Sequence, residues 1–155
     1  VVRLVGSEMC IRDRSIAVHK RSFLNQEGFK NAINYITKKN IIPGLIIEES
    51  ENQYNYLWET IVKNNLKWVV VMGVPIGYGG QLFRRNALMT IKVLRELSEK
   101  NNYDLKIEVD GGLNFNNITE CINCGADVLA GWSIIKGANV EEIKDKLNNL
   151  QKIIK

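Results

Sequence analysis

The sequence predicts an α/β protein organised around a parallel sheet, and three features predict it. From Ser15 onward, short runs rich in Val, Ile and Leu alternate about five times with helix-length amphipathic segments, the rhythm of parallel strands joined by helices. The runs are continuously apolar rather than alternating, the pattern of strands buried on both faces. Glycine-rich stretches follow the later runs, where a parallel sheet presents its ligand-binding loops.

Strands are expected over 16–19, 41–47, 67–72, 105–110 and 126–131. The third is the plainest, since Trp68, Val69, Val70, Val71 and Met72 run without a polar break. After the first strand, Phe29, Ile33 and Ile36 share one helical face. Leu57 and Ile61 repeat this after the second strand, and Leu88, Ile91 and Leu94 after the third. Val140, Ile143, Leu147 and Leu150 make the apolar face of a last covering helix. Asn139 with Glu142 has the form of a capping box opening that helix, and Gly125 stands where a helix-ending glycine belongs.

At 155 residues the chain is one domain's worth, long enough to bury a core without disulfides or metal staples. Twenty-one Lys and Arg against 17 Asp and Glu leave a net charge of +4, with 45% hydrophobic residues, the balance of an ordinary soluble globular protein. The basic residues (Lys38 and Lys39, Arg84 and Arg85, Lys152 and Lys155) are scattered and not interleaved with aromatics, so no nucleic-acid partner is expected. The longest apolar stretches, around 68–74 and 41–47, fall short of the roughly 18 residues of a membrane helix, so no membrane partner is expected either. Three cysteines without a spaced, even framework point to the reducing cytoplasm. Cys121 and Cys124 form a single CxxC with no second pair to complete a zinc set, and are read as packing residues, as are Tyr54, Trp58 and Trp68. Residues 1–14, VVRLVGSEMCIRDR, have no period, and 7–14 resembles translated sequencing-adaptor read-through. The domain is therefore taken as 15–155, and 1–14, with Cys10, is set aside as a non-native segment.

Two loops carry chemistry. After the third strand come Gly73, Val74, Pro75, Ile76, Gly77, Tyr78, Gly79, Gly80 and Gln81, where glycines let backbone N–H groups wrap an anion; a flexible turn is the alternative. After the fourth, Glu108, Val109, Asp110, Gly111 and Gly112 place a carboxylate at the strand's end. It can act as acid/base or metal ligand, or simply cap a turn.

In order, VMGV…GYGGQ, IEVDGGLNFNN and CGADVLAGWSIIKG resemble the C-terminal part of the ribulose-phosphate 3-epimerase family. The resemblance implies a phosphate-binding (β/α)8 TIM barrel, of which the five strands would be the fourth to the eighth. It implies an isomerase of carbohydrate metabolism, in the pentose phosphate pathway, that interconverts D-ribulose 5-phosphate and D-xylulose 5-phosphate by proton transfer at C3. Asp110 is the implied acid/base and a ligand of one divalent metal ion (zinc, iron, manganese or magnesium). Gly77, Tyr78, Gly79, Gly80, Gly111, Gly112 and Ser133 are the implied phosphate contacts, with Met72 and Trp132 lining the site.

The chain departs from the family pattern at Pro75 and Ile76, which change how the glycine loop begins, and at Trp132, which replaces a glycine beside the phosphate. His19 matches a histidine outside the family's metal set and is read as structural. The family's remaining metal ligands and its second catalytic carboxylate belong to earlier strands, so an incomplete barrel is expected. Such a chain should associate, as a homo-oligomer or an aggregate, and lack metal-dependent turnover. A six-carbon ketose-phosphate epimerase, a non-catalytic phosphosugar-binding relative, and a lyase or synthase on a related barrel are the alternatives.

Overall fold

The computed structural model of the protein describes residues 14–48, 53–77 and 80–154. Apart from Arg14, the segment set aside at the N-terminus lies outside the described residues. Five strands, β1 (Ser15–His19), β2 (Ile42–Ile47), β3 (Trp68–Met72), β4 (Lys106–Asp110) and β5 (Val128–Ala130), form one sheet in the order β1-β2-β3-β4-β5. Every neighbouring pair is parallel. The connecting helices are α1 (Gln26–Lys38), α2 (Tyr54–Lys63), α3 (Asn86–Lys100) and α4 (Phe115–Asn123); after β5 come the short α5 (Trp132–Ile135) and α6 (Val140–Ile154).

Sequential parallel strands joined by right-handed crossovers place every connecting helix on the same side of the sheet. That side holds the core: Val18, Leu45, Ile47, Val69, Val71, Ile107 and Val109 are buried against Phe29, Ile33, Leu57, Ile61, Ile91, Leu94 and Ile118. The opposite face carries Ala17, Ile46, Trp68, Met72, Glu108 and Asp110 half-buried, with Ile42 and Val128 exposed. The expectation of strands covered on both faces is corrected accordingly: helices cover one face, and on the other Val70 is buried while most of the remaining side chains are half-buried or exposed.

Local chemistry explains the boundaries. The Asn25 side chain accepts the Gly28 N–H at 2.8 Å to open α1, and Asn114 and Asn117 make a reciprocal capping box at α4. The box at Asn139 and Glu142 opens α6 as expected. Helices α1 to α4 all stop in the same way, with a left-handed residue just past the cap: Asn40 (φ 58°), Asn65 (φ 48°), Asn102 (φ 51°) and Gly125 (φ 105°). The next residue then donates back five positions down the helix, as in Ile41 to Ile36 and Leu66 to Ile61. Three of these four stops use Asn where glycine is the usual choice.

The fifth strand is shorter than the expected 126–131, because Ala126 N–H closes the end of α4 on Cys121 O and Gly131 caps α5. On α6, Ile143 and Leu150 are half-buried, but Val140 (69%) and Leu147 (49%) are exposed. The predicted apolar face is therefore only partly covered: α6 packs on α4 and α5 rather than on a sheet face.

Candidate active site

The carboxyl ends of β3, β4 and β5 lie side by side, with Met72 paired in register to Asp110 and Asp110 to Ala130. These strands aim alternate residues at the inner face, so Met72 and Asp110 share a rim with Glu108 one layer below. Asp110 is half-buried. Burial raises its carboxyl above the ordinary range, and a hydrogen bond from the Gly111 N–H offsets part of the rise.

The two glycine loops interlock at this rim. Gly73 N–H donates to Asp110 O at 2.7 Å, and the segment after Gly73 returns so that Arg84 N–H donates to Gly73 O at 2.8 Å. Gly111 (φ 95°) and Gly112 (φ 68°) take left-handed backbone against this neck. A Cβ on Gly111 would strike the Val74 side chain, and one on Gly112 would lie 2.8 Å from Phe83 backbone atoms. Glycine is therefore required at both positions, by backbone angle and by space. Across the first loop, the Gln81 side-chain amide donates to Pro75 O at 2.6 Å, and Gly77 (φ 147°) and Gly80 (φ 82°) lie between them.

Of the other predicted site residues, Tyr78 and Gly79 lie outside the described residues. Trp132 opens α5 just beyond β5 with 69% of its surface exposed, and Ser133 follows it in the same helix. His19 ends β1 with Nε2 at 3.9 Å from Glu48, which also pairs with Arg21, in keeping with a structural role. Cys121 is fully buried, and burial, helped by Cys124 and Glu120, pushes its thiol up to about 11, as fits a packing residue.

Two residues that support the site were not legible as such. The Trp68 indole lies over Gly44 on β2, where a Cβ would collide with it, and its Nε1 donates to Glu108 at 3.0 Å. Burial raises the Glu108 carboxyl, Trp68 opposes the rise and the Asp110 charge adds to it. Asn117 is buried and donates to Gly112 O at 3.1 Å while completing the α4 capping box, which anchors the second glycine loop. The NFNN run after the glycines was its only signal.

Asp110 offers one carboxylate to the implied divalent ion. Among the described residues no three His, Cys, Asp or Glu side chains gather into a set that could hold a metal, so these residues do not make a metal site by themselves.

A family model described as the ribulose-phosphate 3 epimerase family matches residues 4–135. The chain belongs to this family. Ribulose-phosphate 3-epimerase of Aquifex aeolicus (strain VF5) is 37% identical over 84 residues, which are 54% of this chain and 38% of that protein. The Escherichia coli K12 enzyme of the same name is 32% identical over 57% of this chain and 40% of its own length. The Helicobacter pylori J99 enzyme is 29% identical over 84% and 55% respectively. The chain thus spans about 40 to 55% of the length of these curated relatives. Among solved structures, the chain is similar to a thiamine phosphate pyrophosphorylase from Pyrococcus furiosus (TM-score 0.55, 18% identity, 91% of this chain and 59% of that one). It is also similar to a 3-keto-L-gulonate-6-phosphate decarboxylase from Vibrio cholerae (TM-score 0.54, 14% identity, 90% and 62%). These two likenesses speak to fold alone. The five βα units of the epimerase-family chain form part of a (β/α) barrel.

Proposed function

We propose that this chain is the phosphate-binding part of a ketose-phosphate 3-epimerase acting on D-ribulose 5-phosphate and D-xylulose 5-phosphate. The observation that supports it is the interlocked rim: one half-buried carboxylate, Asp110, stands beside two glycine loops that meet where Gly73, Gly111 and Gly112 leave no room for side chains. In this reading the loops hold the phosphate, and the ketose extends from them along the rim. Asp110, in its carboxylate form, then takes the C3 proton, which the adjacent carbonyl has acidified. Inversion needs a second acid on the opposite face to return a proton. Glu108 cannot serve, because it lies below Asp110 on the same strand face. The described residues therefore support proton removal and return on one face. A divalent ion, were one completed by ligands beyond the described residues, would be held in part by Asp110 and would supply positive charge beside the acidified carbon.

The test is C3-proton washout from D-ribulose 5-phosphate in deuterated buffer, followed by NMR. Wild type is expected to exchange that proton, and Asp110→Asn to lose exchange at least about a hundredfold while keeping phosphosugar affinity within about twofold. A wild type that binds the sugar phosphate without exchanging C3 would support the non-catalytic relative instead. A six-carbon reading is favoured by exposed Trp132 and by Ile76 at the loop's beginning, which change the rim where a longer sugar would lie. It predicts faster exchange with a hexulose 6-phosphate than with the pentulose.

A further inference from the structure

Resting on the phosphoketose reading, we infer that Glu48 is a specificity-determining residue of the sugar site, a carboxylate that accepts a hydrogen bond from the ketose hydroxyl at the end remote from the phosphate. Ile47 on β2 pairs with Val71 on β3, and Val71 with Val109 on β4, and all three are buried against the helices. One residue further along come Glu48, Met72 and Asp110, each half-buried, so alternation brings these three to the inner face at one level of the rim. Two strand spacings, about 10 Å of backbone, separate the two carboxylate-bearing positions, and Met72 stands between them.

Glu48 is held in place. Its side chain is 25% exposed, His19 Nε2 lies 3.9 Å from its Oε1, and Arg21, in the turn Lys20–Ser22 after β1, pairs with its Oε2. A carboxylate has about four acceptor sites, so both oxygens retain capacity for a further donor. An acceptor fixed in this way discriminates sharply, because a ligand that covers it without bringing a donor leaves it desolvated and unmatched. With the phosphate on the glycine loops and C3 at Asp110, the carbon chain crosses Met72, and the C1 hydroxyl is directed toward β2. Met72 offers apolar surface to the carbons, and Glu48 offers an acceptor to the hydroxyl that ends them. Its part is to accept a hydrogen bond; proton transfer stays with Asp110. A ketose phosphate ending in a hydroxymethyl group is thereby chosen over one ending in a methyl group.

The experiment titrates D-xylulose 5-phosphate, then 1-deoxy-D-xylulose 5-phosphate, which carries a methyl in place of the hydroxymethyl group, into the full 155-residue chain by calorimetry. Wild type is expected to bind the hydroxylated sugar about tenfold more tightly, the equivalent of one hydrogen bond to a charged group. Glu48→Met, which keeps the length and loses both acceptors, is expected to bring the two affinities within about twofold of each other. A variant that weakens both sugars by the same factor, as loss of a merely structural ion pair would, overturns the role of Glu48 while leaving the phosphoketose reading in place. Wild type that binds the two sugars equally does the same, and wild type that binds neither overturns both. If Glu48→Met does not fold, the wild-type Glu48 carboxylate carbon signal decides. A larger NMR shift on saturation with D-xylulose 5-phosphate than with the 1-deoxy sugar supports the contact, and equal shifts overturn it.

Discussion

At the scale of single residues, Asp110 and its glycines show how a carboxylate is made useful by its neighbours. Burial raises the Asp110 carboxyl above its ordinary range, and the hydrogen bond from the Gly111 N–H offsets part of that rise. The C3 exchange it supports should therefore disappear as pH falls through a pKa above the usual aspartate range, a limb visible in a pH profile of washout. Gly112 supports the same geometry sterically. Gly112→Ala must place a Cβ 2.8 Å from Phe83 backbone atoms at φ 68°, and should cost about 2 to 3 kcal/mol in denaturant unfolding, whereas Gly77→Ala, with open space around it, should cost about 1. Asp110 and the glycines were legible because their chemistry lies in residue type and local spacing. Glu108 and Asn117 were not, because each acquires its role from a partner brought by the fold: Trp68 from the neighbouring strand, and the Gly112 carbonyl from across the loop.

At the scale of elements, the helix stops carry a testable preference. Asn65 holds φ 48° and lets Leu66, fully buried, donate to Ile61 O. Asn65→Ala should destabilise by about 1 kcal/mol through the left-handed backbone, and Asn65→Gly should be neutral or stabilising. Runs such as Lys38-Lys39-Asn40 and Asn64-Asn65 look like ordinary polar loop, so only Gly125 among the four stops announced itself in the sequence. The strands were legible for the opposite reason, since a continuous apolar run needs no partner to be recognised. Helix α4 adds a pH signature. The Cys121 thiol is raised to about 11 from an ordinary value of 9.0, so folding favours its protonated form. Its contribution to stability is complete below pH 9 and is lost as pH rises through about 11. Cys121→Ala or Cys121→Val should flatten that part of the unfolding profile, and native Cys121 should resist alkylation at pH 8 until the protein unfolds.

At the scale of the molecule, the two ends of the sheet divide the labour. The carboxyl ends carry the glycine loops and Asp110; the amino ends carry a polar latch that holds the last two strands to α3. Which face of each strand the helices cover could not be read from the apolar runs, because a continuous run places apolar residues on both faces alike. The latch was equally hidden, since it joins residues some thirty positions apart. Arg95 donates to Gly125 O at 2.8 Å, to Leu105 O at 3.4 Å and to Asp127 at 2.5 Å, and the same Asp127 oxygen accepts Ile107 N–H at 2.8 Å. One guanidinium thus satisfies the chain just before β4 and just before β5, and one carboxylate pins β4 to the start of β5. Both side chains are about three-quarters shielded, 22% and 28% exposed, so their attraction is screened less than that of a surface pair. Arg95→Met, which keeps the aliphatic packing on Gly125, should cost about 2 kcal/mol, because it strands the Gly125 carbonyl and the Asp127 carboxylate together. Asp127→Asn keeps an acceptor for Ile107 and should cost about 1. In a double-mutant cycle the two should fall short of additivity by about 1 kcal/mol, and strict additivity would mean that Arg95 and Asp127 act on β5 independently. The latch stands a strand's length from Asp110, so both variants should keep wild-type phosphate affinity below their melting temperatures, with stability lost at one end of the sheet and binding kept at the other.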